Sequence, residues 1–189
     1  MESEMDDLQA IRRLKNGDIG GLEVLIACYQ VKAVQTAYLV TRNELMAEDV
    51  VHDAFVRFYE RVRHFDETRP FEPYFLRSVV NSALNAVKKE HTAASFDDDL
   101  DAPGLQTLLA RAVSVEAQVE YVQLKTEIAR ALDRLSPRQR AAVVQRYFLE
   151  MSEKEMAETL KAAPGTIKWL LNAARSRLRI LLHSQRISE

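Results

Sequence analysis

Five polar residues set the first chemical question in this 189-residue chain. Arg77, Asn81, Asn85 and Lys88 fall at i, i+4, i+8 and i+11, with Lys89 beside them, so one helix would carry them as a single stripe. Amide side chains hydrogen-bond the edges of unstacked bases, and Arg and Lys hold phosphates, so the stripe suits a separated nucleic-acid strand. A second set lies towards the C-terminus. Between Pro164 and Leu182 the charged residues are Lys168, Arg175, Arg177 and Arg179, all cations placed where a phosphate backbone could be held. Gly165, Thr166, Trp169 and Asn172 stand among them. Cations late in a helix also complement its dipole, so this stretch alone divides evenly between DNA binding and a plain helical hairpin.

Catalytic and metal chemistry find no comparable set. His52, His64, His91 and His183 are scattered, with no cysteine partners for zinc and no triad spacing. No catalytic residue, metal or cofactor is therefore expected, and the chain does not read as an enzyme. Cys28 is the sole cysteine and cannot form an internal disulfide; its helical, near-core position reads as a packed thiol.

The elements that must position these residues are helical. Asp18 can cap a helix whose apolar positions are Leu22, Leu25, Ile26 and Tyr29, and a further helix carries Val34, Ala37, Tyr38 and Val40. Asn43 can cap the next, with Ala47, Val50, Val51, Ala54, Phe55, Phe58 and Val62 on one face. Its other face bears Glu48, Asp49, His52, Asp53, Glu60 and Arg61. After the break "FDETRPFEPYF", Pro70 suits the first turn of a helix ending near His91, with Phe71, Phe75, Val79, Ser82 and Ala86 on its core stripe.

Residues 92–115 carry four aspartates and a Pro-Gly pair and read as a linker, although "LQTLLARAV" can make a short helix. Helical character resumes near Val115 and runs through Leu124, Ile128 and Leu132. "SPRQ" and "SEKE" are capping boxes at Ser136/Gln139 and Ser152/Glu155. The helix from Ser152 presents Met156, Ala157 and Leu160 inward. "KAAP" turns the chain, and Pro164 begins a helix with Ile167, Leu170, Leu171, Ala174, Leu178 and Leu181 on one apolar stripe. Two short helices around a tight turn form a helix-turn-helix pattern, whose second helix can enter a major groove.

No alternating pattern calls for strands, so the fold is expected to be all-α, in two domains. The boundaries are 1–92, a linker at 93–124, and 125–189. Net charge is −2 overall, but divides as −3 over residues 1–91, −5 over 92–124 and +6 over 125–189. Such asymmetry points to parts with different partners. No apolar run approaches the roughly 20 residues of a membrane span, and the acidic start "MESEMDDLQA" lacks the order of a secretory signal. A cytoplasmic protein without membrane insertion is expected.

The stretch "LDRLSPRQRAAVVQRYFLEMSEKEMAETLKAAPGTIKWLLNAARSRLRILL" resembles region 4 of sigma-70 family initiation factors, in the compact extracytoplasmic-function (ECF) group. The shared pattern is the Leu-Ser-Pro-x-x-Arg opening, an Arg-Tyr core pair, the Ser-x-x-Glu cap, Gly-Thr-Ile-Lys opening the second helix, and Ala174, Arg175 and Leu178. Independently, "LKNGDIGGLEVLIACY" and "AEDVVHDAFVRFYERVRHFDETRPFEPYFLRSVVNSALNAVKK" resemble region 2. The two matches cover all but the termini and the linker.

The resemblance implies a sigma factor that joins RNA polymerase core, through its clamp helices and flap, and directs it to promoter DNA. Asp49, His52, Asp53 and Arg57 would contact the polymerase. Arg77, Asn81, Asn85, Lys88 and Lys89 would hold the melted −10 strand, with the loop 64–73 walling a pocket for flipped bases. Gly165, Thr166, Lys168, Trp169, Asn172 and Arg175 would read the −35 element. Asp97, Asp98, Asp99 and Asp101 of the linker would mimic RNA phosphates in a polymerase channel. An anti-sigma factor is the implied regulator. The chain departs from the family pattern at Asn85, where Asp is usual, and has fewer arginines around that helix. Trp169 replaces a small polar residue, Leu170 a frequent Arg, and Lys161 a frequent Gly. Two other readings stay open: a stand-alone helix-turn-helix regulator, and a degenerate sigma homologue acting by protein interaction.

Overall fold

The computed structural model describes residues 2–93 and 128–185, with side-chain surroundings for most of them. Every regular element among the described residues is helical. The chain begins with α1 (Glu2–Lys15), which the sequence reading did not foresee. Its Ala10, Ile11 and Leu14 are buried, and Leu8 is half-buried. Gly17, at φ 87°, turns the chain into α2 (Gly20–Thr41). Asp18 lies one position before the N-cap and accepts the Gly20 amide at 2.9 Å.

The two helices expected between residues 18 and 41 are one. Alternate sides of α2 are covered by α1, α3 and α4, so Leu25, Tyr29, Ala33, Ala37, Tyr38 and Val40 are all buried. That all-round apolar character makes α2 long and apolar enough to cross a membrane by length and composition, contrary to the expectation above. Half of its most apolar window is buried inside the protein, as in the central helix of a bundle. Cys28 also differs from expectation: it lies on the exposed side of α2, because the buried positions are its neighbours Leu25 and Tyr29.

Asn43 caps α3 (Glu44–Arg61), accepting the Met46 amide at 3.0 Å. All seven apolar positions named for this face are buried. A 3₁₀ turn (Val62–His64) leads to the loop and then to α4 (Phe71–Ala93), which starts one residue after Pro70. The buried stripe of α4 is Phe71, Phe75, Val79 and Ala83, flanked by Leu76, Val80, Leu84 and Val87. Ser82 and Ala86 are only half-buried, and Ser82 accepts a hydrogen bond from Arg57 at 2.7 Å. The stripe is wider than expected because α4 is covered on a second side by the C-terminal helices.

Residues 128–133 are helical. The capping boxes of α5 (Pro137–Val143) and α6 (Glu153–Leu160) are both formed. Between them runs a π-helical segment (Val144–Phe148). α6 ends at Lys161 in the left-handed region, φ 48°, and α7 (Pro164–Gln185) follows. The linker aspartates Asp97, Asp98, Asp99 and Asp101, the short helix expected in "LQTLLARAV" and the helix start near Val115 lie outside the described residues.

A left-handed non-glycine residue costs about 1–2 kcal/mol, and glycine at that position gives back part of this as backbone entropy. Lys161→Gly is therefore expected to raise stability by about 0.5–1 kcal/mol in urea titration, with the slope unchanged.

Candidate nucleic-acid interface

Along α4, Arg77 and Asn81 are half-buried and Asn85, Lys88 and Lys89 exposed. At 1.5 Å per residue the stripe from Arg77 to Lys88 runs about 16 Å along the helix. Arg77 is partly covered: its guanidinium forms an ion pair with Glu155 at the start of α6.

Beside the N-terminal end of α4 lies a cavity of about 240 Å³. The loop forms one wall with Phe65, Thr68 and Arg69, continued by Phe71 at the start of α4, and α1 forms the other with Asp7 and Ile11. The loop is held in shape from both sides. Asp66 accepts the Thr68 amide at 3.0 Å and its hydroxyl at 2.7 Å, which holds the carboxyl below its ordinary value. Glu67 accepts from Lys15 at 2.8 Å and Arg12 at 2.9 Å, and these partners lower its pKa too. Lys15 also donates to the Phe65 carbonyl at 2.8 Å. Beneath the loop, Phe58, Phe65, Phe71 and Tyr74 pack edge to face, with Phe58 and Phe71 ring centres 4.8 Å apart. Pre-formed walls of this kind spare a ligand the cost of ordering them. Sequence reasoning named the loop but missed α1, although Leu8, Ile11 and Leu14 at three-residue steps carried the signal.

On α3, Asp49, His52 and Asp53 are exposed, as is Arg57, which donates to Ser82. Leu45, Val56 and Tyr59 are exposed beside them, at 74 %, 41 % and 39 %. Leu45, Asp49, His52, Val56 and Tyr59 follow steps of 4, 3, 4 and 3 residues, so they form one solvent-facing seam with the spacing used by coiled coils.

The helix-turn-helix is built around Ala142, Met151, Met156, Ile167, Leu170 and Leu171. Leu170 is 5 % exposed, so it replaces no groove-facing side chain; it belongs to the apolar stripe that seats α7 on α6. Trp169, one residue earlier, points the other way and is 65 % exposed. Gly165, Thr166, Lys168, Asn172 and Arg175 are exposed with it, so all six candidate −35 residues lie at the surface. A Cβ on Gly165 would meet nothing, so that glycine leaves room for a close approach to the helix start.

Tyr147 departs from the core role given to the Arg-Tyr pair. It is 56 % exposed because the π-helical segment displaces it outward, and Arg146 is exposed as well. The Tyr147 hydroxyl accepts from Arg175 Nε at 2.6 Å, and the guanidinium lies 5.8 Å from the ring centre. Tyr147 thereby orients Arg175 at the surface of α7, a partnership that the sequence spacing did not announce. Among the described residues no group of three or more His, Cys, Asp or Glu is placed to hold a metal ion.

Comparison with known proteins meets this geometry. The sequence profile of Sigma-70 region 2 matches residues 25–92, and that of Sigma-70, region 4 matches residues 125–178. ECF RNA polymerase sigma factor SigW of Bacillus subtilis is 27 % identical over 180 residues, covering 93 % of this chain and 96 % of its own. The ECF RNA polymerase sigma-E factor of Escherichia coli is 24 % identical over 181 residues, 93 % of each chain. Among solved structures, CnrH in complex with the cytosolic domain of CnrY superposes with a TM-score of 0.60 at 21 % identity, over 95 % of this chain and 98 % of that one. The sigma factor RpoE in complex with the anti-sigma factor NepR from Bartonella quintana gives 0.59 at 21 %, over 85 % and 94 %. These two likenesses establish the shared fold. With both profiles in this order on one all-α chain, and together spanning more than half of it, the protein belongs to the sigma-70 family, in its ECF group.

Proposed function

We propose that this chain serves RNA polymerase core as an ECF-type sigma factor, holding the melted −10 strand along α4 and reading the −35 duplex with α7. Its work is binding rather than catalysis, carried out in the cytoplasm. The observation that carries the reading is the pairing of two unlike polar surfaces: an Asn-containing stripe on the helix whose first residue, Phe71, lines a preformed cavity, and a basic helix that begins at an open Gly165. Flipping a base out of its stack costs a few kcal/mol, which the cavity and the Arg77–Lys88 stripe would offset. The α3 seam of Leu45, Asp49, His52, Val56 and Tyr59, with Asp53 and Arg57 beside it, supplies an apolar-and-charged face for polymerase helices.

The domains would run over 1–92 and 125–189, with 93–124 as linker. An anti-sigma factor is the natural regulator, since both solved relatives named above were captured with a bound partner. Trp169 can read DNA or a protein.

Asn81→Ala tests the −10 assignment. Open-complex formation, followed by 2-aminopurine fluorescence, should fall about tenfold, the worth of one good base contact, while affinity for polymerase core is unchanged. Normal melting by this variant would remove α4 from the mechanism. Tight binding of a palindromic duplex by the protein alone, without polymerase, would favour the stand-alone regulator instead.

A further inference from the structure

The C-terminal helices rest on the N-terminal bundle, and the contact uses part of the stripe assigned to DNA. α5 lies against both α2 and α4, and α6 touches α4. Ala141 and Val144 are 0 % and 2 % exposed and belong to the same buried cluster as Leu76, Val80 and Leu84 of α4. Two ion pairs flank this apolar seam. Arg42, which ends α2 and stacks 4.6 Å from the Tyr38 ring centre, pairs with Asp133, and its Nη2 lies 3.1 Å from Oδ2. Arg77 pairs with Glu155.

Glu155 is already committed to a second task. It closes the capping box of α6, accepting the Ser152 amide at 2.9 Å. These bonds, with the Arg77 pair, hold its carboxyl below its ordinary value, so it stays charged at neutral pH. A carboxylate on the Arg77 guanidinium occupies the donor a DNA phosphate would take, because guanidinium binds both anions with the same fork.

We propose that the unbound protein closes on itself, with the helix-turn-helix docked on α2 and α4, and that Glu155 thereby masks the Arg77 end of the strand-binding stripe. This rests on the reading of α4 as the strand-binding helix. The occupant of the surface is the chain's own second domain, and single-stranded DNA competes with α6 for Arg77. Apolar contact at Ala141 and Val144 sets the docking position. The ion pairs are partly exposed and are worth little individually, so closure is a shallow, reversible state rather than a locked one.

The double variant Glu155→Gln/Asp133→Asn loosens the docking while leaving the apolar seam in place. Glutamine at residue 155 still completes a capping box, and both carboxylates that hold the seam are gone. Spin labels at the exposed Cys28 and at Ser176→Cys, also exposed, report domain separation in the full chain. Strand binding is read with a labelled single-stranded DNA pool of randomised sequence, about twelve nucleotides long.

The expected result is a broader, longer distance distribution in the variant and an affinity for the pool about fivefold higher than that of the unmodified chain. Saturating the unmodified chain with the pool should also lengthen the distances. Equal affinity of both proteins, or equal distances, overturns the masking. Binding by neither protein overturns it for a different reason, that α4 holds no strand, and so marks the failure of the earlier reading.

Discussion

Gly21→Ala is expected to cost about 2–3 kcal/mol of stability and to disable promoter opening while leaving duplex binding intact. A Cβ at this position would lie 2.2 Å from the Ala10 carbonyl oxygen and 3.0 Å from Leu14 Cγ. The first contact is with backbone, which cannot rotate away, so α1 must move off α2. Because the Ile11 and Asp7 side chains form one wall of the cavity beside α4, that movement opens the proposed base pocket. Asp7 would also draw back from Tyr29, whose hydroxyl donates to it at 2.5 Å. The check is a urea titration paired with two functional assays. The midpoint should fall, 2-aminopurine melting signals should collapse, and binding of −35 duplex should persist because α7 lies on the other domain. If stability falls and melting survives, the cavity is not the base pocket.

Arg175→Ala should weaken promoter binding about tenfold across sequences and reduce the salt dependence of binding by close to one counterion. The guanidinium is aimed by Tyr147 through a 2.6 Å hydrogen bond, so its entropy is partly spent before DNA arrives. Tyr147→Phe should then give a smaller loss with an unchanged salt slope, since the charge remains and only its aim is lost. A measurement of affinity against salt concentration separates the two. If Arg175→Ala keeps the full salt slope, the residue touches no phosphate and the account of α7 needs another anchor.

Much of this was legible in the residues themselves. The caps at Asn43, Ser136 and Ser152 are local chemistry, decided within one helical turn, and all three formed as the sequence predicts. The apolar faces of α3 and α7 follow a strict helical period and each turns one side to its neighbours, leaving the other in solvent, so the buried residues are the periodic ones.

What could not be read depends on contacts far along the chain. α2 is covered from several directions, so its apolar residues show no single face, and Cys28 could not be assigned to a side from spacing alone. α1 was missed because its apolar steps, Leu8, Ile11 and Leu14, are few in a stretch dominated by charged residues. Tyr147 was misplaced because a π-helical insertion shifts the register, and nothing in "VVQRYF" states that the ladder will widen there. Arg77 shares the helical spacing of Asn81 and Asn85, but its partner Glu155 is 78 residues away and no local pattern points to it. Leu170 shows the opposite error: the family pattern marked it as a departure where Arg is frequent, while its place on the apolar period already assigned it to the core.

Run-off transcription with purified core polymerase on a library of promoter fragments tests the central claim most directly. The account predicts transcripts that start downstream of a shared pair of elements, spaced as −35 and −10, and that require both this protein and the core enzyme. No start site above core polymerase alone, in a protein that also fails to bind the core in solution, would contradict it.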